Sequence, residues 1–297
     1  MPAVIIDGGA IARKIRARAA QSALALAARG ERPCLAVILV GNDPASLSYV
    51  GAKEKALAQA GMLSVDARLP EGSSEASVLA AIERFNGDDK VHGILVQLPL
   101  PAGLSEGRVI AAISPEKDVD GFCPVSVGNA TFGRPSFLPC TPSGVMEILR
   151  EIGAVVSGAH AVVVGRSCIV GRPMAMMLGA RGADATVTMC HSGTRDLARH
   201  TLQADILVAA AGRPGLITAD MIKPGAVVID VGVNRVADPS RESGYRLVGD
   251  VDFEGALERA SHITPVPGGV GPMTIAMLLE NVAKAARERA EKKEGKQ

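Results

Sequence analysis

Short runs of apolar residues alternate with amphipathic stretches along most of the chain. Residues 34–41, 91–98 and 160–165 are dominated by apolar side chains, a pattern that predicts strands buried on both faces. Residues 11–29, before the first run, and residues 45–60, after it, place polar side chains at helical spacing. Because strands that alternate with helices form parallel sheets, the pattern predicts a doubly wound α/β fold.

The remaining segments extend this alternation. Further strands are predicted at 63–69, 185–190, 205–210 and 226–231, and further helices at 74–85, 105–113, 141–152, 171–180 and 273–290. Residues 123–140 lose the periodicity and collect proline and glycine, which indicates a domain boundary. A length of 297 residues also favours two domains. We therefore expect two α/β domains, with the chain crossing back to the first domain before its last helix.

The composition narrows the classes of partner. Aromatic residues make up only 2% of the chain, too few for a platform on which single-stranded nucleic acid stacks. The formal net charge is +1 without a long block of one sign, so neither a nucleic acid nor an anionic membrane is expected as partner. The five cysteines are widely spaced and form no C-x-x-C pair, which argues against a disulfide framework and a zinc site.

The N-terminus and the apolar runs predict a location. Residues 1–10 contain an acid and lack a basic segment followed by an apolar one, so no signal peptide is expected. No apolar run reaches the roughly 18 residues that a membrane helix needs. The protein is therefore expected to be soluble and cytoplasmic.

A glycine-containing turn follows the predicted strand at 160–165. The segment from Gly165 to Pro173 has the spacing G-x-S-x-x-x-G and leads into a helix. In a Rossmann unit, such a turn brings backbone N–H groups and a helix N-terminus to a pyrophosphate. The spacing departs from the full G-x-G-x-x-G pattern, so an ordinary tight turn in a nucleotide-free domain is the alternative.

The next strand indicates which dinucleotide would bind. Sites that prefer NAD carry an acid about 20 residues after the turn, where it holds the ribose 2′-hydroxyl. Here the strand ends in His191 and Ser192, and Asp184 precedes the strand at its opposite end. The missing carboxylate, together with the guanidinium of Arg166, favours a 2′-phosphate and hence NADP.

Four polar residues of the first half are candidates for one cleft. Tyr49 and Lys53 lie four residues apart and share a helix face. Gln97 ends a buried strand, and Asp120 lies in a loop that follows the next helix. Open α/β sheets bind ligands at the carboxyl ends of their strands, and a lysine against apolar walls can act as an acid or base near neutral pH.

Each of these residues also has an ordinary structural interpretation. Lys53 lies beside Glu54 and Lys55, and most helix lysines are solvated. Tyr49 alone reads as a packing residue, and Asp120 as a turn former. A later run dense in proline and glycine, residues 262–274, is either a loop that approaches a ligand or a rigid crossover between domains.

Taken together, these segments resemble the bifunctional methylenetetrahydrofolate dehydrogenase/methenyltetrahydrofolate cyclohydrolase family. The resemblance covers nearly the whole chain, in order. The matching stretches are residues 41–46 with Tyr49, Val50 and Lys53, then 93–101, 117–122, 139–142, 165–167 with 170–173, 231–235, 249–251 and 264–274. Cys123 stands where His is often expected, and Cys168 and Arg172 occupy variable positions of the turn.

The resemblance implies two reactions of one-carbon folate metabolism. The first oxidises 5,10-methylenetetrahydrofolate to the methenyl form with NADP, and the second hydrolyses the methenyl form to 10-formyltetrahydrofolate. It implies tetrahydrofolate derivatives as substrates, no metal, and a homodimer. The implied domains are a folate-binding three-layer α/β catalytic domain (residues 1–140 and 273–297) and an NADP-binding Rossmann-type parallel sheet (residues 141–272).

The resemblance also assigns roles to residues. Lys53 would activate water or relay a proton in hydrolysis, in contact with Gln97, while Tyr49 would stack on the folate and Asp120 would bind the pterin. The other implied folate contacts are Val96, Leu98, Pro267, Gly268, Gly269, Gly271, Pro272 and Thr274. The implied cofactor contacts are Gly165, Arg166, Ser167, Gly171, Ser192 and Val233.

Two other functions remain open from the sequence. A monofunctional dehydrogenase that has lost hydrolysis is one alternative, and the retention of Lys53 and Gln97 argues against it. A catalytically silent NADP-binding scaffold is the other. The intact set of Tyr49, Lys53, Gln97 and Asp120 argues against a scaffold.

Overall fold

The computed structural model describes residues 2–241 and 244–294. Its strands are β1 (Val4–Ile5), β2 (Cys34–Val40), β3 (Leu63–Leu69), β4 (Gly93–Val96), β5 (His160–Val164), β6 (Thr186–Cys190), β7 (Ile206–Ala209), β8 (Val227–Asp230), β9 (Asn234–Ala237), β10 (Tyr245–Val248) and β11 (His262–Ile263). Its helices are α1 (Gly8–Ala28), α2 (Pro44–Gln59), α3 (Glu75–Gly87), α4 (Glu106–Ala111), α5 (Pro124–Thr131), α6 (Cys140–Glu151), α7 (Gly171–Leu178), α8 (Leu197–Thr201), α9 (Phe253–Leu257) and α10 (Val270–Glu294).

The chain divides into two compact units. Unit 1 comprises Met1–Ala12 and Thr141–Thr274, and unit 2 comprises Arg13–Cys140 and Ile275–Gln297. The first twelve residues, which the sequence groups with the first domain, belong to unit 1 because β1 pairs in parallel with β11. A strand of two residues is too short for periodicity to reveal.

Unit 1 contains a six-stranded sheet in the order β1-β11-β8-β7-β5-β6, and its strand pairs are parallel. From β5 the chain first adds β6 on one side and then crosses to β7 on the other. The order therefore reverses at β5, and the carboxyl ends of β5 and β7 form the switch point at which such sheets bind ligands. The predicted Rossmann-type parallel sheet is confirmed.

Unit 2 is a three-layer structure around the parallel sheet β3-β2-β4. Side chains alternate along β2. Leu35, Val37 and Leu39 pack with α1, α2 and α10 on one face, whereas Ala36 and Ile38 pack with α3 and α4 on the other. Both faces are covered, which explains why β2 is apolar throughout.

The last helix completes unit 2. From Ile275 onward α10 belongs to this unit, and Leu278, Leu279 and Val282 are buried in the same cluster as Leu35. The predicted fold class, with a last helix that returns to the first domain, is thus confirmed. Within residues 2–241 and 244–294, no helix is long and apolar enough to cross a membrane.

The helix α5 is the main element that periodicity did not predict. It lies in the segment 123–140, which the sequence identifies as a boundary without regular structure. The Cys123 side chain accepts a hydrogen bond from Ser126 N at the start of α5. Val125 and Val127 are exposed, and Ser126 is buried, so the helix shows no apolar stripe.

Candidate functional site

The helix α2 presents the first two candidate residues of unit 2. Its N-terminus is fixed by Asp43, whose carboxylate accepts a 2.8 Å hydrogen bond from Ser46 N, and by Pro44 in the first turn. Tyr49 and Lys53 follow one helical turn apart. Tyr49 is 49% exposed, whereas Lys53 is partly buried.

Lys53 and Gln97 are in direct contact. The Lys53 ammonium donates a 3.0 Å hydrogen bond to Gln97 Oε1. Gln97 Nε2 in turn donates to the Leu98 carbonyl oxygen at 2.6 Å, which fixes the amide with its oxygen towards the lysine. Gln97 N also donates to the Ile38 carbonyl oxygen, so the residue is anchored at the carboxyl end of the sheet. Val96 is buried in β4, and Leu98 is partly buried.

The loop that carries Asp120 contains two neighbours with purely structural partners. Lys117 Nζ donates 2.8 Å hydrogen bonds to the carbonyl oxygens at the end of α3, those of Phe85, Asn86 and Asp88. The buried Asp118 carboxylate accepts from the backbone N–H groups of Phe122 and Cys123. These contacts stabilise the loop. Because the charged groups of Lys117 and Asp118 are engaged in them, Asp120 is the residue of this loop that we expect to take part in the chemistry.

Asp120 is electrostatically coupled to Lys53. Burial raises the pKa of the Asp120 carboxyl above its usual range, Lys53 opposes this rise, and Asp118 adds to it. The Cys140 thiol donates a 3.5 Å hydrogen bond to the Val119 carbonyl oxygen, and burial, reinforced by the Asp120 charge, holds the pKa of this thiol well above its ordinary value. The structure therefore brings together Lys53, Gln97, Asp120 and Cys140.

Two residues at this cluster were not predicted from the sequence. One is Cys140. The other is Asn281, whose Nδ2 donates to the carbonyl oxygens of Val119 (2.8 Å) and Leu138 (3.2 Å). This amide ties the Asp120 loop to the segment that leads into α6. The available signal was an asparagine between buried leucine and valine positions of the last helix, because a polar side chain in such a row requires hydrogen-bond partners.

In unit 1, the turn after β5 requires glycine at two positions. Gly165 has a φ of +137°, and a Cβ there would overlap the Ala210 carbonyl oxygen. A Cβ on Gly171 would overlap the carbonyl oxygen of Gly165 itself. The chain thus turns back on itself as closely as a backbone allows. Gly165 N donates to the Cys190 carbonyl oxygen at 2.8 Å, which places the turn beside the end of β6.

Ser167 occupies the position of the second glycine in the dinucleotide pattern. Its hydroxyl oxygen accepts hydrogen bonds from the N–H groups of Val170 (3.1 Å) and Gly171 (3.2 Å). The side chain therefore closes the turn at the start of α7. This local bond explains how the turn tolerates serine at this position.

The groups around the turn fit a phosphorylated dinucleotide. Arg166 and Ser167 are exposed on the turn, and Ser192 is exposed just beyond the adjacent strand β6. The first acid after β6, Asp196, accepts a hydrogen bond from Arg199 N at the start of α8. A guanidinium and hydroxyl groups suit a 2′-phosphate, which a carboxylate at the end of β6 would repel.

The remaining candidate residues of unit 1 lie in two segments. Val233 follows β8 and is 47% exposed. In the loop before α10, Gly268 has a φ of +110°, and a Cβ on Gly269 would lie 2.6 Å from the Pro265 carbonyl oxygen. The Thr274 hydroxyl is hydrogen-bonded to that of Thr141 at 2.9 Å. The predicted folate contacts from Pro267 to Thr274 therefore belong to unit 1, and the earlier ones to unit 2.

Comparison with known families gives the family of this chain. Residues 6–120 match the catalytic domain of tetrahydrofolate dehydrogenase/cyclohydrolase, and residues 139–290 match its NAD(P)-binding domain. The chain belongs to the tetrahydrofolate dehydrogenase/cyclohydrolase family. The resemblance inferred from the sequence motifs is confirmed.

Individual members of the family are similar over their whole length. The chain is 57% identical to the bifunctional protein FolD of Moorella thermoacetica, over 97% of this chain and 100% of that protein. It is 56% identical to the same protein of Burkholderia lata, over 98% and 99%. Among solved structures, the Trypanosoma brucei methylenetetrahydrofolate dehydrogenase-cyclohydrolase complexed with NADP and inhibitor has a TM-score of 0.93 at 43% identity, over 98% and 99% of the two chains.

Proposed function

We propose that this chain is a bifunctional NADP-dependent methylenetetrahydrofolate dehydrogenase and methenyltetrahydrofolate cyclohydrolase. It oxidises 5,10-methylenetetrahydrofolate to the 5,10-methenyl form and hydrolyses that form to 10-formyltetrahydrofolate, in one-carbon folate metabolism. The hydrogen bond from Lys53 to Gln97 carries this proposal, because it places a proton-transferring group on a family scaffold that otherwise needs only to position its substrates.

The oxidation requires position more than acid–base chemistry. The reacting methylene carbon lies between two folate nitrogens, whose lone pairs stabilise the cation that forms as hydride leaves. NADP supplies the hydride acceptor. Arg166, Ser167 and Ser192 bind its 2′-phosphate, Gly165 and Gly171 allow its pyrophosphate to approach the backbone, and Val233 contacts it from the loop after β8.

The hydrolysis requires a proton to move. Water adds to the methenyl carbon and releases one proton. The hydroxyl so formed loses its proton as the formyl C=O forms, one carbon–nitrogen bond of the folate ring breaks, and the departing nitrogen gains that proton. Lys53 relays this proton, a task for which a positioned amine is suited. Gln97 Oε1 accepts a hydrogen bond from one N–H of the ammonium group. This bond leaves the other N–H groups of the lysine directed towards the substrate.

The other site residues orient the folate. Tyr49, half exposed one turn before Lys53, stacks on its aromatic part, and Asp120 hydrogen-bonds its pterin. Val96 and Leu98 flank Gln97 along the chain and border the substrate. Pro267, Gly268, Gly269, Gly271, Pro272 and Thr274 contribute the remaining contacts.

The domain roles and the assembly are part of the same proposal. We assign the folate-binding catalytic role to unit 2, residues 13–140 and 275–297, and the NADP-binding role to unit 1, residues 1–12 and 141–274. The catalytic-domain match at 6–120 supports the role of unit 2, and the NAD(P)-binding match at 139–290 supports that of unit 1, although the second match also extends into the last helix. A homodimer is proposed from the sequence resemblance, and a cytoplasmic location is proposed beside it.

One absorbance assay tests the proposed function. Methenyl formation is followed with 5,10-methylenetetrahydrofolate and either NADP or NAD, and the decay of added methenyltetrahydrofolate is followed without dinucleotide. We expect methenyl formation with NADP and an enzyme-dependent decay. No methenyl formation with either dinucleotide would remove the dehydrogenase, and a decay no faster than the uncatalysed one would remove the cyclohydrolase.

A further inference from the structure

A fully buried carboxylate holds the loop that follows β7. Asp250 accepts hydrogen bonds from three consecutive backbone N–H groups, those of Ala211 (2.6 Å), Gly212 (2.9 Å) and Arg213 (2.9 Å). Asn234 Nδ2 donates to the same carboxylate at 2.9 Å. Asp250 has no exposed surface, and these bonds provide the compensation that a buried carboxylate requires.

A second buried carboxylate supports the first. Asp230, at the end of β8, accepts from the backbone N–H groups of Gly232, Asp250 and Val251, each at 2.9 Å. The Thr264 hydroxyl oxygen accepts from Asp230 N at 2.7 Å. Asp230 thus fixes both the turn after β8 and the backbone that carries the Asp250 side chain.

The two carboxylates lie so close to the backbone that glycine is required at two positions. A Cβ on Gly232 would overlap the Asp250 carboxylate, and a Cβ on Gly249 would overlap that of Asp230. Burial is expensive for the second carboxylate, since it raises the pKa of Asp230 to about 6. A chain that needed only to end two strands could use turns without buried acids.

The segments that the carboxylates hold lie at the carboxyl edge of the unit 1 sheet, one of them at its switch point. Residues 211–213 follow β7 and residues 231–233 follow β8, both at the carboxyl edge where a dinucleotide binds. Ala210 lies directly against the glycine turn, since its carbonyl oxygen fills the space of a Cβ on Gly165. The backbone that Asp250 orders is therefore continuous with the wall of the predicted cofactor site.

We propose that Asp250, supported by Asp230, is a positioning residue of the dinucleotide site, which shapes the 211–213 loop and the 231–233 turn for NADP. This role rests on the proposed function of the chain. Neither residue contacts the cofactor in this proposal, and both act through backbone whose conformation they set. The expected signature is a loss of NADP affinity that leaves the chemistry of unit 2 unaffected.

The variant Asp250→Asn tests the role with little change of shape. Its amide nitrogen faces backbone donors, so at least one of them loses its acceptor. We expect the Kd for NADP, measured by titration of the full chain, to rise at least about tenfold. Methenyltetrahydrofolate hydrolysis measured without dinucleotide should stay within about twofold of the wild type. Asp238→Asn is the matched control, since this carboxylate accepts from the Ser240 backbone N–H in the same unit, and it should leave both quantities unchanged.

The possible outcomes separate the positioning role from the proposed function. An unchanged Kd for NADP in Asp250→Asn would reject the positioning role alone, and so would an equal loss of binding and hydrolysis. Failure of the wild-type chain to bind NADP would reject the proposed function itself. If Asp250→Asn does not fold, Asn234→Ser decides. This substitution removes one donor to Asp250 and should raise the Kd for NADP by about threefold or more. A Kd equal to that of the wild type would reject the role.

Discussion

The Lys53 ammonium and the Gln97 amide oxygen form a 3.0 Å hydrogen bond between a helix and the end of a strand. The orientation of this amide is set by its second bond, from Gln97 Nε2 to the Leu98 carbonyl oxygen. Asp120 is coupled electrostatically to the same lysine. The lysine therefore sits among groups that can control where its protons point.

Replacement of this lysine should separate the two activities. Lys53→Met should slow methenyltetrahydrofolate hydrolysis at least about 100-fold, because the variant keeps the length of the side chain but cannot transfer a proton. The Kd for NADP should stay at the wild-type value, since the glycine turn lies in unit 1. Lys55→Met, an exposed position of the same helix, is the control. Hydrolysis at the wild-type rate in Lys53→Met would refute the assigned role.

The two acids of the loop at 117–122 should respond differently to the same substitution. Asp120→Asn should raise the KM for methylenetetrahydrofolate about tenfold or more with little change in Tm, because a charge-assisted bond to the pterin is lost. Asp118→Asn should instead lower the free energy of unfolding by about 1–3 kcal/mol, because its carboxylate holds two backbone N–H groups. Steady-state kinetics and thermal melts of both variants distinguish the two effects. A lower Tm with an unchanged KM in Asp120→Asn would contradict the substrate contact.

Cofactor preference should depend on Arg166. In Arg166→Ala the KM for NADP should rise about 10- to 100-fold and that for NAD should change little, since only NADP offers a 2′-phosphate to the guanidinium. Arg181→Ala removes another exposed guanidinium of unit 1 and should alter neither value. Equal losses with both dinucleotides would show that Arg166 does not contact the 2′-phosphate.

Asp230 should make part of the stability depend on pH. Its pKa is raised by burial from 3.8 to about 6, so the folded chain holds this proton more tightly than the unfolded chain does. Its contribution to stability is then fully present below about pH 4 and is lost as the pH rises through about 6. The Tm of Asp230→Asn relative to wild type, followed from pH 4 to 7, should show this difference. A constant difference over that range would mean that Asp230 does not titrate there.

Local pattern was sufficient for the elements that lie in the two cores. The apolar run of β2 marks its ends because both faces of that strand are covered. The helix α2 was predicted to within one residue at each end, since a proline opens it and a glycine follows it. By contrast, α5 buries too few apolar side chains to show an apolar stripe in its sequence. The strands β1 and β11 consist of two residues each and exist because they pair with each other and with β8.

The candidate site divides in the same way. Spacing alone placed Tyr49 and Lys53 on one helix face, and strand position placed Gln97 at the carboxyl edge. It also named Asp120, but it gave no role to the neighbouring Asp118, whose backbone partners only the structure shows. Nor did it predict Cys140 or Asn281 at this cluster, because their partners are 21 or more residues away along the chain.

The sequence by itself determined the α/β class, the glycine turn and the family, because each depends on residues that are close along the chain or on ordered motifs. Tertiary structure decided which lysines and acids hold the scaffold and which remain for chemistry. It also showed that Asp250 closes the loop after β7 across 37 to 39 positions of sequence. A buried charge is stabilised only by the donors that surround it in space, and sequence spacing does not show which donors those are.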